Sequence, residues 1–182
     1  MNTLTPARSV EHQHRIAEYW LGLQVRASLS RWAPLPLRLI VGYGFLEHGL
    51  AKAGRGLDAF PTIVAAMGLP FPYLLGWLTI LVEIFGGLAF IVGAFIPLAS
   101  IPMVAILFVA TTMVHLQNGF SSIKLQAITP EGPRFGQPGY ETDLLYVACI
   151  VALVLTGPGP LSLNSLIRRR FANSKEEYRP AA

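Results

Sequence analysis

The chain has 182 residues, of which 53% are apolar and 13% charged, with a formal net charge of +4. Its mean hydropathy of +0.50 is high for a water-soluble domain and predicts a membrane protein with one bundle of about four spans of ~20 residues plus tails. The single cysteine, Cys149, lies in an apolar run and reads as a packing residue; it excludes an intrachain disulfide or a cysteine-rich metal site. The basic residues lack an aromatic-interleaved soluble surface, which argues against nucleic-acid binding.

Residues 1–34 form a cytoplasmic N-terminal segment. It lacks the apolar core and small-residue cleavage site of a signal peptide. Within "EYWLGLQVRASLSRW", Trp20, Leu23, Ala27 and Ser30 recur at helical spacing beside Arg26 and Arg31, so this stretch is either an interfacial helix on the inner leaflet or a loosely ordered tail. His12 and His14 stand two apart without supporting ligands, and no metal site is expected.

Residues 35–165 carry four apolar stretches that predict an all-α, integral membrane four-helix bundle: Leu35–Lys52, Phe71–Ile96, Leu98–His115 and Leu144–Leu161. "GLPFPY" opens the second and "GPGP" breaks the fourth. The short "FIPLAS" link makes the second and third an antiparallel hairpin. Residues 166–182 are a basic cytoplasmic tail. Arg8, Arg15, Arg26 and Arg31 precede the bundle, and Arg168, Arg169, Arg170, Lys175 and Arg179 follow it. Cytoplasmic flanks hold such an excess, so both termini are expected in the cytoplasm, which requires an even number of spans.

Against this apolar background the ionisable residues stand out. "GYGFLEHGLAK" places Glu47, His48 and Lys52 in the outer half of the first span, and Glu83 falls near the middle of the second. His115 ends the third span on the outer side, where Glu141 and Asp143 open the fourth. A charge near the bilayer centre costs about 2.5–3.5 kcal/mol on insertion scales, so Glu83 must be paired, hydrated or protonated. His48 is its nearest partner in depth. His48 and Lys52 lie about 40° apart on one helix face, whereas Glu47 points about 100° away from His48. Arg38 reads as an anchor at the inner interface, and Lys52 can snorkel to outer headgroups. Gly42, Gly44, Gly49, Gly86 and Gly87 allow close approach of the first two helices. His48, Lys52, Glu83, His115 and Glu141 are the candidate lining of one polar cavity in the outer half.

The runs "LRLIVGYGFLEHGLAK", "VEIFGGLAFIVGAF", "VHLQNGF" and "GYETDLLYVACIVALVLTGPGPLSLN" together resemble the DoxX family over about residues 36–165. Arg38, His48, Gly49, Lys52, Glu83, Gly86, Gly87, His115 and Glu141 stand at that family's polar or glycine positions. Asn164, where members often carry Asp, and the additional acid Glu47 depart from the pattern. The resemblance implies a multi-pass protein of the bacterial inner (plasma) membrane, acting as a subunit of a quinol oxidase or thiosulfate:quinone oxidoreductase or in a complex that resists oxidative stress.

A quinone needs an apolar slot, donors for its oxygens and a proton path. His48, Lys52 and His115 are the expected headgroup donors, with Glu83 and Glu141 as proton relays. The chain supplies no electron carrier, so membrane lipids and a soluble or membrane redox protein are the expected partners. Three other readings stay open. One is a scaffold that recruits a soluble redox enzyme. A proton-coupled carrier would want internal repeats or broken spans, and the chain has neither. Haem held by His48 and His115 is disfavoured, because no attachment motif is present.

Overall fold

The computed structural model describes residues 18–22, 28–168 and 170. His12, His14 and most of the basic tail residues lie outside the described residues. Two units are distinguished, Met1–Ala33 and Pro34–Ala182. In the first, residues 18–22 and 28–30 are helical, Tyr19 meets Trp20 edge to face, and the Arg31 guanidinium lies 5.9 Å from the Trp32 ring centroid.

The second unit is built of α1 (Pro34–Gly54), α2 (Ala59–Ala66), α3 (Pro72–Val92), α4 (Ile96–Ala110), a hairpin of β1 (Leu125–Thr129) and β2 (Gly132–Phe135), and α5 (Glu141–Thr156). Proline starts α1 and α3, where its missing N–H costs nothing and its fixed φ suits the first turn. Gly93 closes α3 in the left-handed conformation, and Phe95 turns the chain into α4 at φ 50°. Gly157, with φ 79°, closes α5. The fourth helix therefore begins three residues before the expected Leu144 and stops before the expected Leu161. Glu141 and Asp143 thus belong to its first turn.

The four long helices form a closed ring: α1 packs on α3 and α5, α3 on α4, and α4 on α5. Their inward stripes repeat every three to four residues, with Arg38, Val41, Phe45 and Gly49 buried on α1 and Ile80, Glu83, Gly87 and Phe90 on α3. On α4 the stripe runs Ile96, Ser100, Met103 and Leu107, and on α5 Asp143, Ile150 and Leu153. Phe90, Ile96, Met103, Ile150 and Leu153 form the apolar centre with Val41 and Phe45. The α1–α3 seam is the tightest. A Cβ on Gly87 would stand 2.6 Å from the Gly42 carbonyl oxygen and 2.7 Å from the Leu46 nitrogen, so only glycine allows this backbone approach.

Three features go beyond the expected four spans. α2 packs Pro61 and Val64 inward, with Pro61 against Gly76 at the start of α3. α4 continues through a π-helical turn, Thr111–His115, and a 3-10 turn to Asn118. The loop before α5 carries the antiparallel hairpin. Among the described residues, two helices are long and apolar enough to cross a membrane, Pro72–Val92 and Ile96–Asn118, with mean hydropathies of 2.1 and 2.0. α1 has comparable length but carries Arg38, Glu47 and Lys52, and α5 has only 16 residues.

Candidate functional site

Among the described residues two ion pairs join the bundle, on opposite seams of the helix ring. On the α1–α3 seam, Lys52 Nζ donates to Glu83 Oε1. The expectation that His48 pairs with Glu83 is therefore corrected, as is the alternative reading in which Lys52 only snorkels to headgroups. Both corrections have one cause: the glycine contact brings α1 so close to α3 that Gly49 lies over Glu83 and Ile84, and Lys52, one turn further on, covers the carboxylate. The ammonium also lies 4.8 Å from the Phe60 ring centroid, so α2 roofs the pair and adds a cation–π contact. Glu83 is 4% exposed. Its second oxygen, Oε2, is buried without a hydrogen-bond partner.

His48 is exposed on the bundle surface. At 100° per residue it lies on the side of α1 where Gly44 meets Tyr146 of α5. Gly44, His48 and Lys52 thus form one stripe, from the α1–α5 contact to the ion pair. Glu47 is exposed on a different face, in line with exposed Ile40, Tyr43 and Leu50.

On the α4–α5 seam, Asp143 Oδ2 lies 2.6 Å from His115 Nδ1 and accepts a hydrogen bond from Thr111 Oγ1 at 2.9 Å. Thr111 and His115 are the ends of the π turn. Its wider winding aims both residues at one carboxylate, a local device often found where helices serve a site. Asp143 is 6% exposed. Glu141 is engaged elsewhere, since its Oε2 accepts the Ser122 backbone N–H at 2.9 Å. Among the described residues no hydrogen bond or ion pair links the Lys52–Glu83 pair to the His115–Asp143 pair. Of the five candidate residues, the structure joins Lys52 to Glu83, commits His115 to Asp143, ties Glu141 to the loop before α5 and leaves His48 at the surface.

The end of the bundle where α1 begins and α5 ends carries a third polar construction. Arg38 is 2% exposed and donates to the carbonyl oxygens of Pro158 at 2.6 Å and Leu161 at 3.0 Å. Its reading as an interface anchor is corrected: it is a buried clamp on the turn after α5. A guanidinium suits this place because two fixed donors match two carbonyls, and a cation offsets the negative end of α5. The Asn164 backbone N–H reaches the Gly93 carbonyl at 3.4 Å, tying the same turn to the α3–α4 link.

An open apolar groove of about 500 Å³ runs between α3 and α4, lined by Leu81, Phe85, Gly86, Ala89, Leu98 and Pro102 among others. It lies on a different seam from the Lys52–Glu83 pair. Sequence reasoning set Asp143 at the head of the fourth span but left it, and Thr111, out of the candidate cavity. The 3.6-residue period of Asp143, Tyr146, Val147, Ile150 and Leu153 carried the signal, since it sets Asp143 on the apolar stripe of α5.

A search of curated proteins and a search of solved structures gave no match. The family model described as DoxX matches residues 33–116. That segment takes in α1, α2, α3 and the third long helix through its π turn, with Arg38, His48, Lys52, Glu83 and His115, and stops before Glu141 and Asp143. Over this segment, a little under half of its length, the chain is similar to the DoxX family, and two of its described helices are long and apolar enough to cross a membrane.

Proposed function

We propose that the protein is the quinone-linked membrane subunit of an oxidoreductase in the bacterial inner membrane, and that α1, α3, α4 and α5 are its four spans with both termini cytoplasmic. The observation that carries this reading is the buried, unpartnered Oε2 of Glu83 beside Lys52. A carboxylate oxygen in such a place, with an ammonium at its other oxygen and His48 on the neighbouring surface, fits a ligand whose oxygens need donors and whose protons need a carrier. A bound quinone supplies two-electron, two-proton redox chemistry. The chain's own residues hold and orient the headgroup: Lys52 fixes Glu83, the free Glu83 oxygen takes or gives a proton, and His48 guards the approach between α1 and α5. His115 and Glu141 are already engaged, which narrows the headgroup site to Lys52, Glu83 and His48. Electrons come from a partner enzyme.

The test is the lipid extract and ligand response of the protein purified in mild detergent. Quinone is expected to co-purify, and a quinone analogue is expected to raise the thermal stability of the wild type but not of the His48→Leu or Glu83→Gln variants, each checked for an unchanged size-exclusion profile. Absence of quinone together with no response of the wild type would refute the proposal.

A second reading is a scaffold that recruits a redox enzyme. Glu47 favours it, because an exposed acid about 10 Å from the outer end of α1 needs cover from another protein if α1 spans the bilayer. In that case the two ion pairs only hold the helices together.

A further inference from the structure

The loop from α4 to α5 is stitched at its base and amphipathic at its tip. Tyr140 N–H donates to Gly119 O at 3.1 Å, Glu141 N–H to Phe120 O at 2.9 Å, Gly139 N–H to Ser121 O at 3.0 Å and Gly136 N–H to Lys124 O at 2.8 Å. The ladder begins one residue past Asn118, where the apolar third long helix ends. It carries the edge-to-face pair of Phe120 and Tyr140, with centroids 5.6 Å apart.

Beyond the base, β1 and β2 pair in an irregular register. Leu125 stands opposite Phe135, Ala127 opposite Arg134 and Ile128 opposite Pro133, with a bulge between Leu125 and Ala127. Regular alternation would send Leu125 and Ile128 to opposite faces. The extra residue at the bulge shifts the phase, so Leu125, Ile128, Pro133 and Phe135 share one face while Ala127 and Arg134 share the other. That apolar face is uncovered: Leu125 is 55%, Ile128 81% and Phe135 59% exposed.

The geometry points to a membrane-surface site, in which the apolar face of the β1–β2 hairpin lies in the headgroup and acyl boundary of the outer leaflet with Arg134 turned toward water. Three observations decide for lipid over a soluble partner. The stitched base holds the hairpin within a few residues of the end of an apolar helix long enough to span a bilayer, so lipid is an apolar phase already within reach of the tether. The base carries an exposed Phe120 beside Tyr140, residue types that concentrate at the membrane–water boundary. The apolar face holds no charged side chain, and the charge of the strands sits on the opposite face. A two-stranded hairpin alone is marginal in water, and burial of one face is what stabilises it. The inference does not depend on quinone binding.

The test uses the full chain in nanodiscs of zwitterionic and anionic phospholipid, in a Cys149→Ala background, with a polarity-sensitive fluorophore on Ile128→Cys or, separately, on Arg134→Cys. The label at position 128 is expected to emit to the blue of the label at 134, to lose about half its intensity or more to lipids bearing a quencher near the headgroup, and to resist aqueous iodide. The label at 134 is expected to show the reverse. Equal, water-like emission and equal iodide quenching at both positions would overturn the inference. So would shielding of position 128 from iodide without lipid quenching, which would identify a protein contact instead. Unchanged size-exclusion profiles of both labelled proteins ensure that either result reads on the folded molecule.

Discussion

Removing Lys52 is expected to harm the fold more than neutralising Glu83. The carboxylate is 5% exposed at its side chain and Lys52 is 21% exposed, so the two partners are not equally able to escape. Lys52→Met leaves Glu83 buried with neither oxygen bonded, and breaking a buried pair from one side costs about 3–5 kcal/mol. Glu83→Gln removes the buried charge, keeps an acceptor, and frees a lysine that stands two residues from the end of α1 and can lift its ammonium past that helix end. The expected loss is about 1–2 kcal/mol, the order of one hydrogen bond. The double variant then loses its charge problem and falls near Glu83→Gln, well short of the sum of the two single losses. Denaturation of the purified protein in mixed micelles, followed by circular dichroism, measures all three. The reasoning fails if Lys52→Met costs no more than Glu83→Gln, or if the double variant is additive, since either result would mean that Glu83 reaches water or headgroups.

Two further expectations follow from contacts elsewhere in the bundle. A Cβ on Gly44 would collide with the Tyr146 hydroxyl and stand 2.8 Å from its ring carbon Cζ, so Gly44→Ala is expected to cost about 1–3 kcal/mol by overpacking; Tyr146→Phe in that background should recover part of the loss in the same assay, and no recovery would discount the clash. Arg38→Met strands the Pro158 and Leu161 carbonyls and is expected to cost about 2–4 kcal/mol. Arg38→Lys should rescue little of it, because one ammonium cannot reproduce the two-pronged guanidinium; full rescue would show that charge alone is needed there.

The apolar stretches were legible because a helix that faces lipid on one side and packed helices on the other must be apolar nearly all round, and hydropathy records this directly. Proline and glycine punctuation placed the start of α3 and the link between α3 and α4 to within a few residues. The polar residues were legible as a set for the same reason, since each stands out against so apolar a background. Their partners were not. Periodicity shows that His48 and Lys52 share a broad face, but it gives no information on the rotation of α1 against α3, and a modest rotation decides which of them meets Glu83. The extra π residue at Thr111–His115 and the β-bulge after Leu125 escaped for a related reason. Each inserts one residue into a regular period, so side chains that the simple period sends apart come together, as Leu125 and Ile128 do.

By itself the sequence determined the apolar helices, the position of each ionisable group along its helix and the signs of charge available to pair, because these depend on local composition and on the rise of a helix. Only the tertiary structure decided that Lys52 binds Glu83, that Asp143 collects Thr111 and His115, and that Arg38 is buried on the turn after α5. Those choices depend on contacts between segments far apart in the chain. On the α1–α3 seam the choice was set by the approach of Gly42 to Gly87, which brings two backbones into contact and so fixes which side chains can reach across.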